Sequence, residues 1–213
     1  IHNLGGSFDT AIETSEFGPV VLRGEALYQK DVMTPIVDKA KMSIGNITEA
    51  FTSQKGNRFK YVLGADITAL TNMMVSVQFI QDRNLNYVDT TTTLANAGIG
   101  GSTAMDTDVV GARYTADMPA MSMQNQYLKA EENKEFYSLF LSKPFGASGE
   151  HRWNNIFMFE ENGGKWNRLD AEFSIDDDTQ ATVEYNKYWG DANTQFGQLE
   201  KSSNIQVGVK YSF

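Results

Sequence analysis

The sequence predicts an all-β fold, specifically a transmembrane antiparallel up-and-down β-barrel, and three observations carry that prediction. Apolar and polar side chains alternate through segments of about ten to twelve residues. A tilted membrane strand needs about 9–11 residues, whereas strands of globular domains average about five or six. The connections between segments nearly alternate between short and long, as short turns and long external loops do around a membrane barrel. No apolar run approaches the ~20 residues of a membrane helix, so any crossing is made by strands.

Nine segments carry the period of two, which places successive side chains on opposite faces. Segments 3–14 and 20–31 flank the short connection Glu16-Phe-Gly-Pro19; in the second, Leu22, Ala26 and Tyr28 oppose Arg23, Glu25 and Gln29. A long connection, 32–57, leads to 58–69, where Tyr61, Leu63, Ala65 and Ile67 oppose Lys60, Gly64, Asp66 and Thr68. After the turn Ala69-Leu-Thr-Asn72, segment 73–84 sets Met73, Val75, Val77 and Phe79 against Ser76, Gln78 and Asp82. The longest connection, 85–134, precedes 135–145 and 151–160, which Gly146-Ala-Ser-Gly149 joins. Beyond Asn162-Gly-Gly-Lys165, segment 166–176 opposes Leu169, Ala171, Phe173 and Ile175 to Arg168, Asp170, Glu172 and Ser174. Past Asp176-Asp-Asp178, segment 179–190 opposes Ala181, Val183 and Tyr185 to Thr182, Glu184 and Asn186. The connection 191–202 leads to the last segment, 203–213, with Ile205, Val207, Val209, Tyr211 and Phe213 on one side and Gln206, Gly208, Lys210 and Ser212 on the other.

Nine is odd, whereas single-chain bacterial barrels have even strand counts. The expectation is a single domain, 1–213, forming the carboxyl-terminal portion of a larger barrel, or an eight-stranded barrel in which 3–14 is not a membrane strand. No secretory signal precedes Ile1, so an exported chain is here in mature or partial form.

With 213 residues, no cysteine and a net charge of -9, the chain is neither a disulfide scaffold nor a nucleic-acid binder. The polar faces bring together Arg23, Glu25, Lys60, Asp66, Gln78, Asp82, Arg168, Asp170, Glu172, Glu184 and Lys210, the candidate lumen lining. Charges on such a wall select solutes by sign or pair across strands and stiffen it. Aromatic residues sit at strand ends: Tyr28, Tyr188, Trp189 and Trp166 toward the outer side, Phe145, Trp153 and Phe213 toward the inner. That placement reads as two membrane-interface girdles.

No catalytic constellation stands out. His2 and His151 lack metal-like spacing, and Asp176-Asp-Asp178 lacks the alternation and glycine of a calcium loop, so neither metal nor cofactor is expected. Gly98-Ile-Gly-Gly-Ser102 reads as a flexible loop, and the sequon Asn46-Ile-Thr48 carries little weight in a bacterial host. The threonine run at 90–93 and Met118, Met121 and Met123 mark the connection 85–134 as an adaptable segment able to narrow a pore or meet an external partner.

The stretches Leu4-Gly-Gly-Ser-Phe8, Val21-Leu-Arg-Gly-Glu-Ala-Leu-Tyr28, Tyr61-Val-Leu-Gly-Ala-Asp66, Val75-Ser-Val-Gln-Phe79 and Phe196-Gly-Gln-Leu-Glu200, with Val207-Gly-Val-Lys-Tyr-Ser-Phe213, occur in colinear order. Together they resemble a proteobacterial outer-membrane porin-like β-barrel family catalogued as a domain of unknown function, matching its carboxyl-terminal half outside the two long loops. The resemblance implies the bacterial outer membrane as the compartment, with outer-membrane lipid and lipopolysaccharide around the barrel. The ending through Tyr211 and Phe213 resembles the signal read by the barrel-insertion machinery.

The function expected is a non-enzymatic, porin-like channel for small solutes. Two alternatives stand beside it. One is a non-conducting structural or assembly barrel taking part in lipid or hydrophobic-compound export with other envelope proteins. The other is a soluble β-sandwich binding module, which would leave cells without detergent.

Overall fold

The computed structural model describes residues 1–37, 49, 51–87, 131–191 and 194–212. All nine expected strands form, in one antiparallel up-and-down sheet ordered as in the sequence. They are β1 (His2–Thr14), β2 (Gly18–Val37), β3 (Phe51–Ala69), β4 (Met73–Asn84), β5 (Asn133–Phe145), β6 (His151–Glu160), β7 (Lys165–Ser174), β8 (Thr179–Trp189) and β9 (Asn204–Tyr211). The sheet is not closed into a barrel; β1 and β9 are its edges, and nearly every residue of both is exposed. Strand occupies both ends of the connection read from sequence as 32–57, because β2 runs on to Val37 and β3 begins at Phe51.

The short connections owe their tightness to local chemistry. Thr14 closes the first: its hydroxyl donates to the Gly18 carbonyl at 2.8 Å and accepts from the Phe17 amide at 3.1 Å, with Gly18 at φ +69°. Leu70, Thr71 and Asn72 all take left-handed φ values, 42°, 52° and 67°, a strained choice for residues carrying a Cβ. In the β5–β6 turn, Gly146 (φ +96°) and Gly149 (φ +75°) supply that freedom. There Glu150 accepts from the Ser148 amide at 2.9 Å and its hydroxyl at 3.0 Å. The Asp176–Asp178 turn folds on itself, Asp176 Oδ1 accepting from the Asp178 amide at 3.0 Å.

The connection 191–202, expected as a loop, contains a helical turn, α1 (Gln195–Gln198), and a 3-10 turn, Glu200–Ser202. The threonine run, Met118, Met121 and Met123, Gly98–Ser102, Asn46–Thr48 and Phe213 lie outside the described residues.

The chain divides into two compact units. One comprises Ile1–Leu4, Tyr28–Phe59 and Arg83–Asn133. Within it the asparagines tie strand ends together: Asn57 Oδ1 accepts from the Asp31 amide at 3.4 Å, the Asn57 amide donates to Asn86 Oδ1 at 2.7 Å, and the Asn84 amide donates to the Glu132 carbonyl at 2.8 Å. The other unit comprises Gly5–Leu27, Lys60–Asp82 and Lys134–Phe213 and holds every residue of the site described below.

The burial pattern is the reverse of a water-soluble core. Leu63 and Val77 are each 49% exposed, Leu169 46%, Phe173 37% and Val207 74%. Buried instead are Ser76, Ser142, Glu160, Asp170, Asn186 and Thr194, and the one buried hydrophobic side chain among the described residues is Phe196. Globular proteins bury aliphatic side chains first, whereas the buried side chains among the described residues are mostly polar.

Candidate functional site

Register assigns every residue of β5 to β8 to a face. Arg152 opposes Glu172, Asn154 opposes Asp170 and Ile156 opposes Arg168, while Arg168 opposes Asn186 and Asp170 opposes Glu184. The polar face therefore carries Arg168, Asp170, Glu172 and Glu184 together, as the alternation predicts. Across β8 and β9 the same face continues through Glu184 opposite Gln206 and Gln180 opposite Lys210.

The charges on this face are mostly paired. Arg23 meets Asp66 at 2.5 Å and Lys60 meets Asp82 at 2.9 Å. Arg168 bridges two carboxylates, Asp170 at 3.1 Å and Glu184 at 2.7 Å. Asn154 donates to Asp170 at 2.8 Å, and Asn186 donates to Glu184 while accepting from the Trp166 indole at 3.2 Å. Gln180 donates to Glu172 at 3.5 Å. A half-buried network of this kind supplies hydrogen-bond partners for the lone pairs of its carboxylates, and because Arg168 is shared by Asp170 and Glu184 the acidic groups outnumber the basic ones there. Gln78 packs at the side-chainless Gly64, 3.3 Å from where a Cβ would stand.

The same face carries an apolar stripe. Leu27, Val62, Ile80 and Phe136, from four strands of the sheet, line one cavity of about 670 Å³ together with Glu25, Lys60, Asp82 and Lys134. The alternation expects polar residues at these four positions, so a reading by period alone misses them. The signal lies in the consecutive apolar pairs Leu27-Tyr28, Val62-Leu63, Phe79-Ile80 and Phe136-Tyr137, where both faces are apolar.

Beside the stripe, α1 folds onto the polar face and buries Phe196 against Phe136, Trp166 and Tyr188, with ring centroids 6.0, 6.1 and 6.5 Å away. Glu160, 2% exposed, accepts from the Gln195 amide at 3.0 Å and the Phe196 amide at 2.7 Å, while Thr194 caps α1 by accepting from the Gly197 amide at 2.9 Å. Those amides are the donors a helix start leaves unpaired. A Cβ at Gly190 would come within 2.7 Å of the Gly164 Cα, so this close approach requires glycine. Lys134 reaches the same strap, its ammonium 2.9 Å from Gln195 Oε1 and 5.3 Å from the Phe136 ring centre.

Trp166 and Tyr188, expected among the aromatics at strand ends, take part in the same cluster. They stack on each other at 6.0 Å and 6° on the polar face, because Trp166 shares parity with Arg168 and Tyr188 with Glu184.

The opposite face carries two aromatic levels. Tyr61, Phe79, Tyr137 and Phe159 follow one another at 5.7, 5.1 and 5.3 Å, and Trp189 meets Phe157 at 6.1 Å. Near the other strand ends Phe145, His151 and Phe173 form a triangle with sides of 5.1 to 5.8 Å, and Trp153 opposes Lys143 and Ala171. Tyr28 belongs to the other unit, and Tyr211 is exposed on β9. Between the levels, Asn155 and Asn167 turn their amides onto the Arg168 and Ile156 carbonyls, each at 3.0 Å, which spares that face two unpaired polar groups.

Comparisons with protein-family models, curated proteins and solved structures found no match to this chain.

Proposed function

We propose that this sheet is wall of a porin-like barrel in the bacterial outer membrane, its polar face lining a water-filled path for small solutes and its apolar face meeting lipid. The observation that carries the reading is the inverted burial: Leu63, Val77, Leu169, Phe173 and Val207 are exposed while Asp170 and Asn186 are buried. The two aromatic levels fit the same reading. Phe159 and His151 stand ~26 Å apart along an extended strand, and a tilt of about 40° reduces that to ~20 Å across the membrane, near the ~25 Å apolar band of such barrels.

The wall is completed through the β1 and β9 edges. An open edge in hydrocarbon leaves backbone groups unpaired at several kcal/mol each. In an up-and-down meander β1 and β9 run in the same direction, so an antiparallel closure takes an odd number of further strands. Tyr211 and Phe213 serve the insertion machinery in this reading.

A non-conducting barrel engaged in export is the second reading, favoured by the ordered strap that lays Phe196 on the polar face. One experiment separates the two. Detergent-extracted protein reconstituted in planar bilayers should give discrete conductance steps under the channel reading. Tight insertion without conductance establishes the second reading, and recovery of the protein without detergent overturns both.

A further inference from the structure

Six side chains of the polar face suggest what that path holds. Leu27, Val62, Ile80 and Phe136 offer apolar surface on one cavity wall, and Lys60 and Glu25 stand beside them. The volume, about 670 Å³, falls in the ~300–1,000 Å³ range of small-molecule sites, which combine apolar walls with a few placed polar groups. The cations of this cavity are already engaged: Lys60 by Asp82 at 2.9 Å, and Lys134 by Gln195 at 2.9 Å and the Phe136 ring. Glu25 is exposed to the cavity and has no ion-pair partner among the described residues. The charged group of this cavity left without an ion-pair or hydrogen-bond partner among the described residues is therefore the Glu25 carboxylate, which stands beside the apolar wall.

We propose that this cavity binds a small organic monocation, its charged end at Glu25 and its apolar body on Leu27, Val62, Ile80 and Phe136. The proposal deepens the channel reading by naming the solute class, and it rests on the polar face being open to water. Neutral apolar solutes lack the Glu25 contact. Organic anions meet a repelling carboxylate and two ammonium groups already occupied.

The test uses the full chain in an uncharged detergent, with binding followed by equilibrium dialysis. Benzyltrimethylammonium is the probe, and benzyl alcohol and benzoate are the neutral and anionic comparisons. Saturable binding of benzyltrimethylammonium, stronger than that of either comparison, is expected. Glu25→Gln should weaken it roughly fivefold, the upper end for an exposed ion pair. Leu27→Ala should weaken benzyltrimethylammonium but leave tetramethylammonium, which lacks the ring, nearly unchanged. Binding that Glu25→Gln leaves intact, or equal binding of benzyl alcohol, overturns the proposal. Both variants lie at an exposed or half-exposed strand surface, and circular dichroism checks that the sheet is retained. Because dialysis needs no current, a chain that conducts without Glu25-dependent binding retires the site alone, and one that binds but never conducts retires the channel alone.

Discussion

Glu150 shows how much a single turn residue can be shaped by its neighbours. Its carboxylate is held down to about 2 from an ordinary 4.5, first by its own backbone amide and then by the amide and hydroxyl of Ser148. Asp176, in the turn between β7 and β8, is also lowered, chiefly by the Thr179 hydroxyl and then by the Asp178 amide. A carboxylate whose folded value lies below its unfolded one contributes stability above the unfolded value and loses it as pH falls toward the folded one. For Glu150 that window runs from about 4.5 down to about 2. The thermal midpoint of the wild type should therefore fall across this window more steeply than that of Glu150→Gln, read by scanning calorimetry at a series of pH values. Parallel slopes would show that the turn contacts do not persist in solution. None of this is legible in sequence, where Gly146-Ala-Ser-Gly149 marks a turn without revealing which side chain satisfies it.

At the scale of elements, the strap after β8 is the feature that periodicity could not reach. Its helical turn is too short to stand by propensity. It persists because Glu160, on a different hairpin, receives two of its amides and because Phe196 finds three aromatic rings. Glu160→Ala removes the acceptor of one buried and one half-buried amide and should cost about 2–4 kcal/mol, with faster hydrogen exchange at the Gln195 and Phe196 amides. Unchanged exchange would place the anchor elsewhere. The existence and order of the strands, by contrast, are readable from the period of two, which suits a two-faced strand and not a helix, although β2 and β3 run on to Val37 and back to Phe51, well into the connection expected between them. The parity rule that places Arg168 and Glu184 correctly also governs Trp166 and Tyr188. Nearness to a strand end, which suggests the membrane interface for those two, does not report which face they occupy.

For the molecule as a whole, the question is which solvent meets the apolar face. Leu169 is central to the test: it stands between the aromatic levels, opposite Asn155 and Tyr185, and is 46% exposed. In water, Leu169→Arg would change stability by no more than about 0.5 kcal/mol, as at other surface positions. At the middle of a bilayer the same change should cost about 2–4 kcal/mol. Equilibrium unfolding in urea from phospholipid vesicles measures the difference, and a near-neutral result would remove hydrocarbon from that face.

The sequence by itself determined the nine strands, their order of faces and the short turns, because alternation and turn chemistry are local and each strand reports them independently. Only the tertiary structure decided which charges pair, that Leu27, Val62, Ile80 and Phe136 share a cavity, and that the segment after β8 folds back to bury Phe196. Those outcomes depend on cross-strand register and on contacts such as Glu160 with Phe196, 36 positions apart, and no local pattern encodes a distance of that kind.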